Sequence, residues 1–436
     1  MDPALVTWHG SAAAPATRAL EGGLAWVATS PRRFTYERLQ PSYSSLYPYL
    51  QVAGRSTWAE VGRGYLELLA ERLPPPEEVQ ELAARLVREE QDPAARVDAL
   101  ADHVRRLLTY KAIEFGIRGR VPHPSTKTLE RRYGDCKDHA LLLYQLLRAA
   151  DVRAHLVLVD VDDPVVPELP TLDAFDHMVV YVPDVRGGLL VDTTDKNLAT
   201  ALTPVPYGLG GRRGLLLDPE GPRLIRARDY PADSNRVRVR RRVRLDAEDL
   251  VVEEQLELRG YYAGYLRGRL RGADAEDARL ELEAQLDDPA LELETVEVAQ
   301  AEAIDRPLVL ELRYRVRDAV HAADALRVGA LPAPLEASYF WQRDEARTHP
   351  FELEYPLELS GEVELVGAEA SAFDAHEGGA LLEYEARLQP TPTGSRLTYR
   401  LQRAAGRWES SRWQALVEAQ RAALDRLRAR FRASAD

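Results

Sequence analysis

The stretch from Cys136 to Ala150 constrains the fold most. Ala140, Leu143, Tyr144 and Leu147 recur there at helical spacing, so it reads as a strongly apolar central helix. Directly after it the period changes. Ala154–Val161, Met178–Val182 and Leu189–Asp192 read as strands. Upstream, Val61–Leu73 reads as a helix that stops at Pro74-Pro75-Pro76, and Pro76–Glu90 as a second with Val79, Leu82, Leu86 and Val87 on one face. A third starts at Asp92-Pro93, where Asp92 suits the N-cap and Pro93 the first helical position. Helices, a central helix and then an antiparallel sheet make an α+β layout.

The 436 residues divide into three blocks. Residues 1–60 hold short strand-like runs, Ala4–Trp8, Leu24–Thr29 and Phe34–Leu39, and read as a remnant or short β-rich segment. Residues 61–230 form the α+β core. Residues 231–436 alternate as strands: Val237–Leu245, Leu250–Leu258, Leu308–Val316, Phe351–Leu359, Leu381–Leu388 and Arg396–Gln402. That pattern predicts a β-sandwich, interrupted by helical spacing over Gly260–Leu286. A C-terminal amphipathic helix is expected from Ser411, with Ser411 and Gln414 as a capping box and an apolar stripe reaching Phe431.

Composition narrows the function. The formal net charge is −13, and 53 arginines, against only four lysines, are interleaved with acidic residues. A basic groove for nucleic acid is not indicated. No run of about 18 apolar residues exists, so no integral membrane segment is expected. The N-terminus lacks the basic start and apolar core of a signal peptide. The expected location is cytoplasmic, or the periplasm or cell envelope if the chain is a piece of a longer exported protein.

A single cysteine, Cys136, excludes an intramolecular disulfide and a multi-cysteine zinc site. It lies in Tyr133-Gly134-Asp135-Cys136-Lys137-Asp138-His139. Gly134 permits a tight turn before a helix, and Cys136 falls on the first helical turn, where backbone N–H groups and the dipole favour a thiolate. A thiolate nucleophile needs a base and a group to orient it. His177 opens one predicted strand and Asp192 ends the next. If those strands are antiparallel neighbours, and the central helix packs on them, Cys136, His177 and Asp192 meet. Asp192 is preferred to the nearby Asp195 because it directly ends the apolar strand.

The Gly-Asp-Cys-Lys-Asp motif, Phe175-Asp176-His177 and Val191-Asp192-Thr193-Thr194-Asp195 together resemble the transglutaminase-like superfamily. Ile113-Glu114-Phe115-Gly116 and Pro122-His123-Pro124 add to the likeness, which extends to a bacterial branch whose core is flanked by β-sandwich domains. The resemblance covers residues 75–230 and implies a papain-like core, with Cys136 as nucleophile, His177 as base and Asp192 as orienting carboxylate. It implies acyl transfer through a cysteine thioester on a protein, peptide or carboxamide substrate, with hydrolysis ahead of transamidation and no metal or organic cofactor. The Cys136 N–H is a natural oxyanion donor. By analogy with the superfamily, the second would come from Tyr110–Phe115, with Tyr110 one candidate.

Other residues have plainer expectations. Asp135, Asp138 and His139 read as a solvated helix start, and His123 as a loop histidine. Asp160, Asp162 and Asp163 read as an acidic turn that needs no ion, and Gly208–Gly214 as a flexible loop. The alternative for the whole chain is a non-catalytic interaction module built on such a core.

Overall fold

From Thr57 onward the elements follow the hydrophobic periods of the chain. The computed structural model describes residues 6–10, 16–21, 23–27, 35–112, 116–286, 290–317, 326–327, 346–369, 371–427 and 430–433. They fall into two units, one drawn from residues 1–36 and 41–230, the other from 37–40 and 231–436.

The first unit begins with small β pieces. Strand β1 (Val6–Gly10) pairs with β4 (Leu50–Gly54), and β2 (Ala16–Leu20) pairs with β3 (Gly23–Val27). The single helical turn α1 (Tyr43–Leu46) precedes β4. The strand expected at Phe34–Leu39 does not form over its described part, residues 35–39, where the chain turns and Leu39 takes φ 59°. Phe34 lies outside the described residues, as does Ala4 of the first expected strand.

Helix α2 (Trp58–Leu69) starts three residues before its apolar period because Thr57 and Glu60 form a capping box. Helix α3 (Glu77–Leu86) follows the prolines. Helix α4 (Pro93–Leu107) starts where expected: the Asp92 carboxylate accepts from the N–H of Ala94 at 3.1 Å. Next come β5 (Thr109–Tyr110), α5 (Ser125–Arg131), β6 (Tyr133–Gly134) and α6 (Cys136–Ala149). Strands β7 (His155–Val159), β8 (His177–Val182), β9 (Leu189–Val191), β10 (Arg213–Leu217) and β11 (Arg223–Arg226) make an antiparallel sheet in the order β11-β10-β7-β8-β9. The expected loop Gly208–Gly214 is therefore partly strand. Gly208 and Gly211 turn with positive φ, while Gly214 pairs with Val159.

Helix α6 anchors this unit. Leu142, Leu143, Leu146 and Leu147 are fully buried in one cluster with Val79, Leu100 and Val104 of the helices and Leu156, Met178 and Val180 of the sheet. Each such leucine contributes about 1.5–3 kcal/mol. That sum holds the polar first turn of α6 at the end of the sheet where β8 begins.

The second unit departs from the expected β-sandwich. Strands β12 (Arg236–Asp246) and β13 (Asp249–Arg259) lead into α7 (Tyr261–Leu270) and α8 (Ala275–Leu286), followed by β14 (Leu291–Ala299) and β15 (Leu308–Val316). After β16 (Leu326–Arg327) come β17 (Phe351–Leu353), β18 (Leu357–Val366), β19 (Ala368–Glu369), β20 (Phe373–Gly378), β21 (Leu382–Thr391), β22 (Gly394–Arg403) and β23 (Gly406–Trp408). The run expected as one strand over Phe351–Leu359 is broken before Pro356, which has no N–H to give a ladder. Eight strands form one sheet, β14-β15-β13-β12-β18-β22-β21-β20. Its apolar face packs on Tyr262, Ala263, Leu266 and Leu270 of α7, Leu282 of α8 and Ala423 of α9 (Trp413–Leu427). Helices, rather than a second large sheet, cover that face among the described residues. Alternation shows that a strand has one buried face, not what buries it.

The C-terminal helix is entered through a 3₁₀ turn, Ser410–Arg412, and ends earlier than its apolar stripe suggests. Phe431 lies in β24 (Arg430–Ala433) instead. The other sheet face explains the arginine-rich run. Arg238 and Arg242 stand opposite Glu257 and Glu253 on β13, and Arg240 and Arg242 opposite Glu362 and Glu364 on β18. Opposite charges across strands set the register here.

Candidate functional site

Backbone and carboxylates together build the first turn of α6. Asp135 is its N-cap; Oδ1 accepts from the N–H of Lys137 at 2.9 Å and of Asp138 at 3.2 Å. Asp138 Oδ2 accepts in return from the N–H of Asp135 at 3.3 Å, completing a capping box. Gly134 is needed for close approach rather than for a left-handed turn. A Cβ there would lie 2.5 Å from Cβ of Asp138 and 2.7 Å from its Oδ2. Cys136 is the first helical residue, at the positive end of the helix.

This helix start is buried, contrary to the expectation of a solvated one. Asp135, Cys136, Lys137, Asp138 and His139 are all at most 6% exposed. The reason is a closed polar network. Lys137 Nζ lies 3.0 Å from Asp135 Oδ2, and Asp138 also accepts from the N–H of His123 at 2.6 Å and meets His123 Nδ1 at 3.2 Å. Burial, with Asp138 beside it, raises the Asp135 pKa against the pull of Lys137. His123 is thus a tether of the loop before α5, not a free loop side chain.

His177 and Asp192 come from neighbouring strands. β8 and β9 pair antiparallel with Val180 opposite Val191, so the residue after β9 reaches the start of β8. His177 Nε2 lies 2.8 Å from Asp192 Oδ2. Cys136 lies close enough to the His177 imidazole to act on its charge. Burial alone would lower the imidazole pKa, but the Asp192 carboxylate and Cys136 hold it well above the ordinary value. Burial would raise the Asp192 pKa, yet His177 and Thr194 hold it well below the ordinary carboxylate range. Asp192 Oδ1 accepts from Thr194 N–H at 2.8 Å and Thr194 Oγ1 at 2.7 Å. Asp195 faces its own turn instead, accepting from the N–H of Asn197 at 2.8 Å. His177 is thus paired with Asp192, with Cys136 close enough to act on the same ring.

Several neighbours carry no sequence signal. Arg105 on α4 donates to the main-chain carbonyl of Asp192 at 2.7 Å. His139, one turn beyond Cys136, meets Thr193 Oγ1 at 3.3 Å, and its ring lies 6.2 Å from that of Tyr110. Burial and Lys196 push the His139 pKa down to about 3, so it is neutral. Lys196 donates to the carbonyl of Thr193 at 3.0 Å, and burial pushes its pKa down to about 8. Tyr65 donates to the Arg120 carbonyl, and Arg120 in turn donates to the Leu172 carbonyl at 2.8 Å and to Asp173. That chain ties the segment after β5 to the turn before His177. Apart from the Lys196–Thr193 contact, these join residues far apart in sequence, so no local spacing reveals them.

Tyr110 lies on β5 and is exposed, as are Lys111, whose N–H donates to the Gly134 carbonyl at 2.9 Å, and Ala112; Ile113–Phe115, the end of the expected second donor segment, lies outside the described residues. Asp160 turns inward on its own loop, accepting from the N–H groups of Asp162 at 2.9 Å and Asp163 at 2.5 Å. Burial pushes its pKa up to about 6. Among the described residues, the group with metal-ligating spacing is His376, Glu383 and Glu385, exposed on the β20–β21 hairpin of the second unit.

The sequence model of the transglutaminase-like superfamily matches residues 80–186, a span that takes in Cys136 and His177 and stops short of Asp192. No curated protein matches the chain. Among solved structures the chain is similar to the crystal structure of a "putative protease" from Parabacteroides distasonis ATCC 8503, with a TM-score of 0.61 and 13% identity over 98% of this chain and 69% of that one. At that identity the likeness is one of fold. Residues 80–186 of this chain are a transglutaminase-like superfamily domain.

Proposed function

We propose that the chain is a cysteine-dependent acyl-transfer enzyme acting on a peptide or carboxamide carbonyl, with Cys136 as nucleophile, His177 as acid and base, and Asp192 as the orienting carboxylate. The observation that carries this reading is His177 Nε2 at 2.8 Å from Asp192 Oδ2, on an imidazole whose charged form Asp192 and Cys136 at the start of α6 both favour. A raised imidazole pKa beside a thiol at a helix start favours the thiolate–imidazolium pair.

The steps follow from that pair. The Cys136 sulfur adds to the substrate carbonyl carbon, and the Cys136 N–H, which has no intrahelical acceptor at the first helical position, faces the developing oxyanion. The imidazolium of His177 passes its proton to the departing amine as the C–N bond breaks, leaving a thioester. Neutral His177 then takes a proton from water as the water oxygen attacks the thioester. The acid is released and the thiolate–imidazolium pair returns. Hydrolysis is the favoured outcome; an amine in place of water gives transamidation by the same steps. Asp192 keeps the ring in place and stabilises its charged form. No step calls for a metal or organic cofactor.

Peptide turnover by the full chain, compared with Cys136→Ala, tests the reading. Release of amine by the wild type and its loss in the variant are expected. Equal turnover by both would overturn the assignment and favour a binding module.

A further inference from the structure

Arg105 is a buried cation in α4, only 5% exposed, and its guanidinium points away from solvent. Nη1 donates to Asp102 on the same helix at 2.8 Å. Nη2 donates to the Asp192 carbonyl at 2.7 Å and to Thr200 Oγ1 at 2.6 Å. The segment from Asp192 to Thr200 has no regular structure, so no helix or sheet ladder holds Asp192 beyond the end of β9. One rigid fork therefore grips this segment at both ends, 95 residues away in sequence at the Thr200 contact.

The charges around the fork are Asp102 on its own helix and Asp192, Asp195 and Lys196 on the segment. Asp192 itself is committed to His177, so Arg105 works on its main chain and not on its carboxylate. That division leaves both carboxylate oxygens for His177 and Thr194 while the peptide unit behind them is fixed. A lysine would supply the charge but not two diverging donors from one plane.

We propose that Arg105 is a positioning residue for the reaction: by clamping the Asp192 carbonyl and the Thr200 hydroxyl, it fixes the Asp192 carboxylate against His177. The proposal rests on the acyl-transfer reading and deepens it. A displacement of about 1 Å in such a supporting group costs about 10²-fold in rate.

The test is a double-variant cycle on the full chain, combining Arg105→Lys and Thr200→Val each with Asp192→Asn. Two readouts are used, peptide turnover and the pH dependence of Cys136 alkylation by iodoacetamide. Arg105→Lys is expected to lower kcat about 10²-fold with KM within about twofold. It should also move the acid limb of alkylation to higher pH, because a loosened Asp192 stabilises the imidazolium less. Thr200→Val should move both readouts in the same direction by less. Neither change should cost anything further once Asp192 is Asn. Equal costs in the wild-type and Asp192→Asn backgrounds, or an unmoved alkylation profile, would overturn the proposal. Should Arg105→Lys fail to fold, the Thr200→Val cycle decides alone on the same criteria. Should the wild type turn over no substrate, the acyl-transfer reading fails, while the alkylation profile still decides whether Arg105 positions Asp192.

Discussion

His177 Nε2 and Asp192 Oδ2 lie 2.8 Å apart at the end of the antiparallel pair β8–β9, and Asp192 and Cys136 together hold the imidazole pKa above its ordinary value. Asp192→Asn keeps the shape of this pair and removes its charge. Loss of about 10⁴-fold in kcat is expected, the size seen when an orienting carboxylate of a nucleophile–histidine pair is neutralised. Asp195→Asn, whose carboxylate faces its own turn, should leave kcat within about threefold. Steady-state kinetics on the two variants separates them, and the reverse order would move the orienting role to Asp195.

The same pair sets a pH dependence of stability. The folded-state pKa of His177 is raised, so its stabilising contribution is fully present below about 6.5 and is lost as pH rises through the folded value. That of Asp192 is lowered, so its contribution is present above about 3.8 and is lost as pH falls through the folded value. In a Cys136→Ala background, which removes the thiolate, the Tm difference between the protein and its His177→Gln variant should be widest between about pH 4.5 and 6.5. It should narrow toward alkaline pH. A difference that is flat with pH would mean that the two side chains are not coupled.

A buried ion pair in the second unit gives a prediction independent of any activity. Arg241 and Glu254 stand opposite each other on β12 and β13, facing the apolar side of the sheet. Arg241 Nε donates to Glu254 Oε2 at 2.8 Å, and Tyr314 adds its hydroxyl at 2.7 Å. Glu254→Gln leaves a buried guanidinium without a counter-charge and should cost about 3–5 kcal/mol. Replacing both, Arg241→Met with Glu254→Leu, should recover most of that loss. Urea unfolding measures it; a single variant as stable as the wild type would show that the pair is solvated.

Much of the candidate site was legible in the sequence because its signals are local. A glycine and an acid before a cysteine that opens an apolar helix, a histidine opening a strand and an aspartate ending one are each visible within a few residues. The strands themselves were legible for the same reason, as Leu308–Val316 shows. What was not legible depends on partners distant in the chain. The helix start looked solvated because Asp135, Lys137, Asp138 and His139 are polar; the closed network with His123 that permits their burial crosses a loop. Alternation in β12 and β13 told of one buried face, but not that α7, α8 and α9 would cover it. Arg105 had no sequence signature at all among 53 arginines.

The most direct test of the account is to trap the covalent intermediate. The full chain is mixed with activated acyl esters of short peptides, quenched in acid, and digested for mass spectrometry. A mass increase equal to the acyl group on the peptide carrying Cys136 is expected. It should build up further in His177→Gln, where deacylation lacks its base. An adduct elsewhere, or none on Cys136 under conditions of measured turnover, would contradict the account.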